Sequence, residues 1–191
     1  MAYDVRPAVK EQVESLGAKF VEVDAEAIEN AESTAGYAKK MGAEYQTKQE
    51  QVLLELLKKQ DIAICTALIP GQPSPILITE EMVQDMRPGS VVVDLAVEQG
   101  GNCSLSEFGK VVVKHGITLI GYDNVPSRVA SDASAMYAKN VFNFVAPLGD
   151  TETKGLAIDW SDEIIEGCLI VREGAVVHPN LKKEERKTET A

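Results

Sequence analysis

Long apolar runs are what this chain lacks first. No stretch approaches the ~18–20 consecutive apolar residues that a membrane-crossing helix requires. Histidine is scarce: His115 precedes Gly116 in a turn and His178 precedes Pro179, and neither belongs to a Ser-His-Asp order or a metal-ligand spacing. The three cysteines, Cys65, Cys103 and Cys168, are odd in number and widely spaced. They form no disulfide framework or metal signature and point to a reducing compartment. Cys65 sits in an apolar strand and reads as packing. Cys103 reads as an accessible loop thiol with no activating neighbour. Positive charge is also short, with 19 Lys and Arg against 30 Asp and Glu and a net charge of -11. That balance argues against nucleic acid, which needs a basic face to release counterions, and against an anionic membrane surface. The first residues lack the basic-then-apolar order of a signal peptide.

What is present is an ordinary globular composition, 45% apolar over 191 residues, enough for one core and one domain, or one and a fraction. Ala2–Val5 reads as a short strand ending in an acid. Pro7 suits a first helical turn, Val9, Val13 and Leu16 follow at helical spacing, and Gly17 stops the helix. Phe20–Val23 is the next strand. The Glu- and Ala-rich segment 24–41 reads as a long loop, of the kind that forms lids. Glu44–Lys59 is a helix with Val52, Leu53, Leu56 and Leu57 on one face. Strand 62–65, a proline-rich loop, a short helix capped by Thr79 and strand 90–94 follow. Val111–Val113 and Thr118–Gly121 are two further strands, the first a possible hairpin arm. Ser131 or Asp132 caps a long helix to about Val145, its apolar face including Met136, Tyr137, Val141, Phe144 and Val145.

After Asp150 the texture changes. Leu156–Asp159, Ile164–Ile165, Cys168–Val171 and Ala175–Val177 read as a small β segment with a hairpin turn at Glu173-Gly174. The residues from Lys182 read as a solvated tail. The expected organisation is 1–146, a partial Rossmann-like domain, 147–180, a β segment of the same domain, and 181–191, a tail or linker. Alternating strands and helices imply an α/β fold, a Rossmann-like parallel sheet with crossover helices.

In such sheets ligands bind beyond the carboxyl ends of the strands. Two small-residue loops stand there: Thr66-Ala67-Leu68-Ile69-Pro70-Gly71 after strand 62–65, and Asp94-Leu95-Ala96-Val97-Glu98-Gln99-Gly100-Gly101-Asn102 after strand 90–94. Asp4 is placed to accept from the ribose hydroxyls of a dinucleotide and to repel a 2′-phosphate, or else to cap the helix at Pro7. Gly36 and Tyr37 lie in the candidate lid. Gln49 is on the polar side of its helix. Leu68 either packs on an adenine face, with backbone groups nearby meeting the ribose, or is a buried loop leucine. Glu98 and Asn102 flank glycines where backbone can approach a ligand, and Asp94 caps the same loop locally. Arg128 is a ligand clamp or a surface ion-pair partner. The glycine fingerprint expected roughly 20 residues before an acid like Asp4 is not in the sequence, nor is its strand. A site without acid–base residues suits direct hydride transfer between cofactors.

The runs Asp4-Val5-Arg6, Lys10–Gly17, Gly36-Tyr37-Ala38-Lys39, Thr66–Gly71, Leu77–Val83, Asp94–Glu98 and Gly100–Cys103 together resemble the alpha subunit of proton-translocating NAD(P)+ transhydrogenase, in the C-terminal part of its NAD(H)-binding domain I. The resemblance runs from Ala2 to about Pro179. It implies hydride exchange between NAD(H) and an NADP(H) bound by a partner domain, coupled to proton movement by a membrane domain. By that resemblance Asp4, Val5, Arg6, Gly36, Tyr37, Gln49, Ala67 and Leu68 bind the cofactor. The implied partners are the membrane domain, the NADP(H)-binding domain, an N-terminal lobe carrying the glycine loop, and a second copy in a homodimer. The implied location is the cytoplasmic side of a bacterial inner membrane or the mitochondrial matrix side. The chain reads as a fragment or a truncated gene product, inactive alone. The alternatives are an alanine dehydrogenase-like enzyme, although that family has aspartate where Glu98 stands, and a non-catalytic remnant.

Overall fold

The computed structural model of the chain describes residues 1–23, 43–69, 71–150 and 152–181. It divides into two compact units, Met1–Val125 and Pro126–Ala191.

In the first unit, β1 (Ala2–Tyr3) and β2 (Phe20–Val21) pair in parallel, joined by α1 (Pro7–Ser15). Proline opens α1 because its missing N–H is unpaired there in any case. Gly17, at φ 76°, turns the chain back toward β2. Helix α2 (Ala43–Leu57) leads into β3 (Ile62–Cys65). Helix α3 (Glu80–Asp85) then leads into β4 (Val91–Asp94). The expected cap of α3 is found: the Thr79 hydroxyl accepts from the Met82 amide. β5 (Lys110–Lys114) and β6 (Ile117–Gly121) complete a four-stranded sheet of order β3-β4-β6-β5. β3, β4 and β6 are parallel, and β5 is the antiparallel edge. The β5–β6 hairpin turns on His115 and Gly116, both at positive φ, as a two-residue hairpin turn matching strand twist requires.

One face of this sheet is the core. Val92, Leu119 and Ile117 are fully buried there against Leu53 and Leu57 of α2 and Met82 and Val83 of α3. Each such side chain contributes roughly 1.5–3 kcal/mol by burial. The register puts Ile62, Ile64, Val111 and Val113 on the other face, where all four are exposed.

In the second unit, α4 (Ala130–Val145) begins one residue before the expected cap. Val129 occupies the N-cap without a side-chain bond, and Asp132 falls in the first turn. Its apolar positions are not core, for Met136, Tyr137, Val141, Phe144 and Val145 are all exposed. Ile164 and Ile165, expected in a strand, lie in α5 (Glu163–Cys168). Asp162 explains this by accepting from the amides of Ile164 and Ile165, a strong helix-start signal. Leu156 contributes one bridge, to Gly149, rather than a strand. β7 (Val171–Arg172) and β8 (Ala175–Val176) form the expected hairpin through Glu173 and Gly174, both at positive φ.

Candidate functional site

Strand direction fixes where a site can form in the first unit. The carboxyl ends of β1, β3, β4 and β6 lead into segments beginning at Asp4, Thr66, Leu95 and Tyr122.

Asp4 follows β1 directly and is held by Arg6. Its Oδ1 accepts from the Arg6 amide at 2.9 Å and from Nε at 3.0 Å, while Oδ2 accepts from Nη2 at 2.9 Å. The residue at the N-cap of α1 is Arg6, so Asp4 does not cap that helix. Partial burial works against ionisation of Asp4. The hydrogen bonds and charge of Arg6 outweigh it and hold the carboxyl below its ordinary range. A carboxylate offers about four lone-pair sites. Arg6 fills three of them, and the Val5 amide adds a further bond that also favours the ionised form. Val5, between them, is half-buried.

Helix α2 runs back against β1. The hydroxyls of Tyr3 and Tyr45 meet at 3.3 Å near one end, and the Gln60 amide approaches the Met1 sulfur near the other. Burial and the Tyr45 hydroxyl push the Tyr3 phenol well above its usual range. Gln49 lies one turn after Tyr45 and is half-buried. The (i, i+4) spacing puts it on the helix face of Tyr45.

The loops after β3 and β4 are joined by two fully buried polar side chains. Asp94 accepts from Ala96 N through Oδ1 and from Asn102 N and Cys103 N through Oδ2. Asn102 in turn accepts from Ala67 N and donates to the carbonyls of Ala67 and Pro75. The Ala67 amide is thereby committed within the protein. Leu68, the next residue, is not buried but 52% exposed. Gly101, at φ 85°, stands so close that a Cβ there would lie 2.7 Å from Asp94 Oδ2. Glu98 Oε1 accepts the Asn124 amide at 2.6 Å and ties the loop after β4 to the segment after β6.

Cys103 is buried at 1% exposure, contrary to its reading as an accessible thiol. Burial raises its pKa, and burial with the nearby Asp94 pushes Cys65 up to about 12. His115 Nε2 pairs with Glu80 at the protein surface, away from the strand ends. Arg128 is exposed and belongs to the second unit. Gly36, Tyr37 and the candidate lid lie outside the described residues, as does Pro70. An open, acidic depression lined by Glu50, Glu80 and Glu81 contains none of the candidate residues. Among the described residues no group of three or more His, Cys, Asp or Glu could hold a metal, and no helix is long and apolar enough to cross a membrane.

The sequence signal for the Asp94–Asn102 pair was a strand-end acid followed by Gly-Gly-Asn. What sequence reasoning missed is that Asn102 points inward to Ala67.

Known proteins share both the sequence and the fold. Residues 1–179 match the family described as alanine dehydrogenase/PNT, C-terminal domain. The chain is 60% identical over 181 residues to the first portion of NAD(P) transhydrogenase subunit alpha of Rhodospirillum rubrum, covering 95% of this chain and 47% of that protein. It is 44% identical to the protein of the same name from Rickettsia prowazekii, covering 92% and 44%. Among solved structures, the transhydrogenase from Sinorhizobium meliloti superposes with a TM-score of 0.64 at 41% identity, over 94% of this chain and 42% of that one. The chain therefore spans about half the length of the curated relatives it matches.

Proposed function

From the premise that this chain belongs to the alanine dehydrogenase/PNT C-terminal domain family, we propose that it is the NAD(H)-binding part of a proton-translocating NAD(P)+ transhydrogenase. The observation that carries the reading is Asp4. Its carboxylate, at the end of β1, is kept ionised and oriented by Arg6, and an adenosine ribose calls for a charged acceptor at this strand end. The residues toward this cofactor are Asp4, Val5 and Arg6 at the ribose, Gln49 and Ala67 beside it, Leu68 at the adenine, and Gly36 with Tyr37 in the lid.

When bound, NAD(H) supplies or takes up the hydride, and the chain's residues supply geometry. Asp4 fixes the adenosine end. Leu68 offers apolar surface. Neither moves a proton, so no titrating base is required here. NADP(H) is held by a partner domain, and proton movement belongs to a membrane domain. The complex is membrane-associated, with this part on the cytoplasmic face of a bacterial inner membrane or on the matrix side of a mitochondrion, and it pairs with a second copy of itself.

The N-terminal lobe of domain I, in the same polypeptide or another, is the remaining partner. Support comes from the sheet. β1 pairs with β2, while β3 is the edge of the four-stranded sheet. Met1 and Gln60, which precede β1 and β3, approach each other. A parallel strand from that lobe, laid between β1 and β3, joins the two sheets and brings glycine-loop amides to the pyrophosphate.

NADH fluorescence titration of the chain alone, and of the chain assembled with that lobe, tests this. Weak binding alone and tight binding in the assembly are expected, with hydride transfer once the NADP(H) domain is added. An assembly that does not bind NADH would overturn the reading in favour of a remnant. One that oxidises alanine would favour the alanine dehydrogenase alternative.

A further inference from the structure

Asn102 is fully buried, and every polar group it owns is engaged. Its N–H donates to Asp94 Oδ2 at 2.9 Å, and its carbonyl accepts the amides of Leu77 and Ile78 at 2.8 and 2.9 Å. Its side-chain Oδ1 accepts Ala67 N at 2.9 Å. Its Nδ2 donates to Ala67 O at 2.9 Å and to Pro75 O at 2.8 Å. The two-point pairing with Ala67 imitates a strand neighbour just beyond Cys65↔Asp94, the last pair of the β3–β4 ladder. Because Ala67 and Pro75 bracket the intervening loop, one amide group closes both of its ends.

We propose that Asn102 is a positioning residue for the nucleotide site, an inference that rests on the function proposed above. It clamps Ala67 and so presents Leu68, exposed and next in sequence, in a fixed place. It also takes the Ala67 N–H for itself, which leaves the Leu68 side chain, rather than the Ala67 amide, as the group that contacts the ligand. The ordering cost of the loop is then met on folding instead of on binding. Asp94 acts one step further back by fixing the backbone of Asn102.

A double-mutant cycle in the assembled protein, with NADH as the probe, tests this. Asn102→Ala should weaken NADH binding roughly tenfold when Leu68 is present, and less than about twofold in a Leu68→Ala background. An equal loss in both backgrounds, or none in the first, overturns the proposal, since a merely structural role would not depend on Leu68. Should Asn102→Ala fail to fold, amide exchange of the unaltered protein decides. The Ala67 amide should exchange as slowly as those of β4, with and without NADH. An Ala67 amide that exchanges at open-loop rates and is protected only by NADH overturns it. Absence of NADH binding to the unaltered assembly defeats the functional reading alone, and the Ala67 exchange rate still decides the clamp.

Discussion

Arg6 grips Asp4 at three points, placing its own amide and Nε on Oδ1 and Nη2 on Oδ2, all within 3.0 Å. The pair holds a negative group at the carboxyl end of β1 and simultaneously neutralises a guanidinium two residues away. On the function proposed above, Asp4 would select against a 2′-phosphate twice, by repelling it and by occupying the arginine that would receive it.

Asp4→Ala in the assembled protein should therefore do two things. NADH affinity should fall ten- to hundredfold, as expected for losing a charge-assisted bond worth ~1.5–3 kcal/mol. NADPH affinity should rise, and the added change Arg6→Ala should abolish that rise. Calorimetry with both nucleotides reads the result, and an unchanged NADH affinity removes Asp4 from the site.

The same pair makes a pH-dependent contribution to stability. The folded carboxyl of Asp4 lies below its ordinary value of 3.8. Its contribution is therefore complete above that value and is lost as pH falls through the folded pKa. Asp4→Asn should lower stability at neutral pH and flatten the decline below about pH 4. Urea titrations at several pH values measure both effects. Parallel stability curves for the two proteins would show that the pair does not contribute.

Gly101 is constrained twice, by its φ of 85° and by the 2.7 Å that would separate a Cβ from Asp94 Oδ2. Gly101→Ala should destabilise the protein by about 1–3 kcal/mol, the usual cost of a strained left-handed residue. Adjacent Gly100, at φ 100° but with open space around its Cβ position, should incur the backbone cost without the steric one. Thermal melts of the two alanine variants compare them directly, and the ranking Gly101 worse than Gly100 is the expected result.

The first unit was legible because its signals are local. Short continuous apolar runs gave β3, β4 and the β5–β6 hairpin, and Thr79 with two following glutamates gave α3. The α/β class and the strand-end loops followed from chain order alone. Asn102 was visible only as a residue beside two glycines, because its partner Ala67 is 35 residues away and only the β3–β4 ladder brings them together. α4 was legible as a helix, but its surroundings were not. Apolar spacing marks a face that needs cover without naming the cover, and here that face is exposed. Ile164 and Ile165 look β-like by composition, and the capping carboxylate of Asp162 overrides that propensity.

Thiol chemistry gives an independent check on the core. Cys65 and Cys103 are buried with raised pKa values, whereas Cys168 is exposed. The thiolate is the reactive form, so iodoacetamide near pH 8 should label Cys168 alone in the native protein and all three cysteines in urea. Peptide mass spectrometry reads the pattern. Native labelling of Cys103 would mean that the Asp94–Asn102 junction opens readily.

The exposed surface around β3 leads to the last expectation. β3 pairs only with β4 among the described strands, and Ile62 and Ile64 are 62% and 65% exposed. An apolar edge of this kind is a template for pairing with another chain. The chain purified alone should therefore self-associate, with light scattering showing a mass above that of one copy. Ile64→Lys places a charge on that strand and should shift the distribution toward monomer. The same substitution should weaken assembly with the N-terminal lobe, since both would use the β3 side. A monodisperse monomer of the unaltered chain that binds NADH at low micromolar concentration would show that this edge needs no partner.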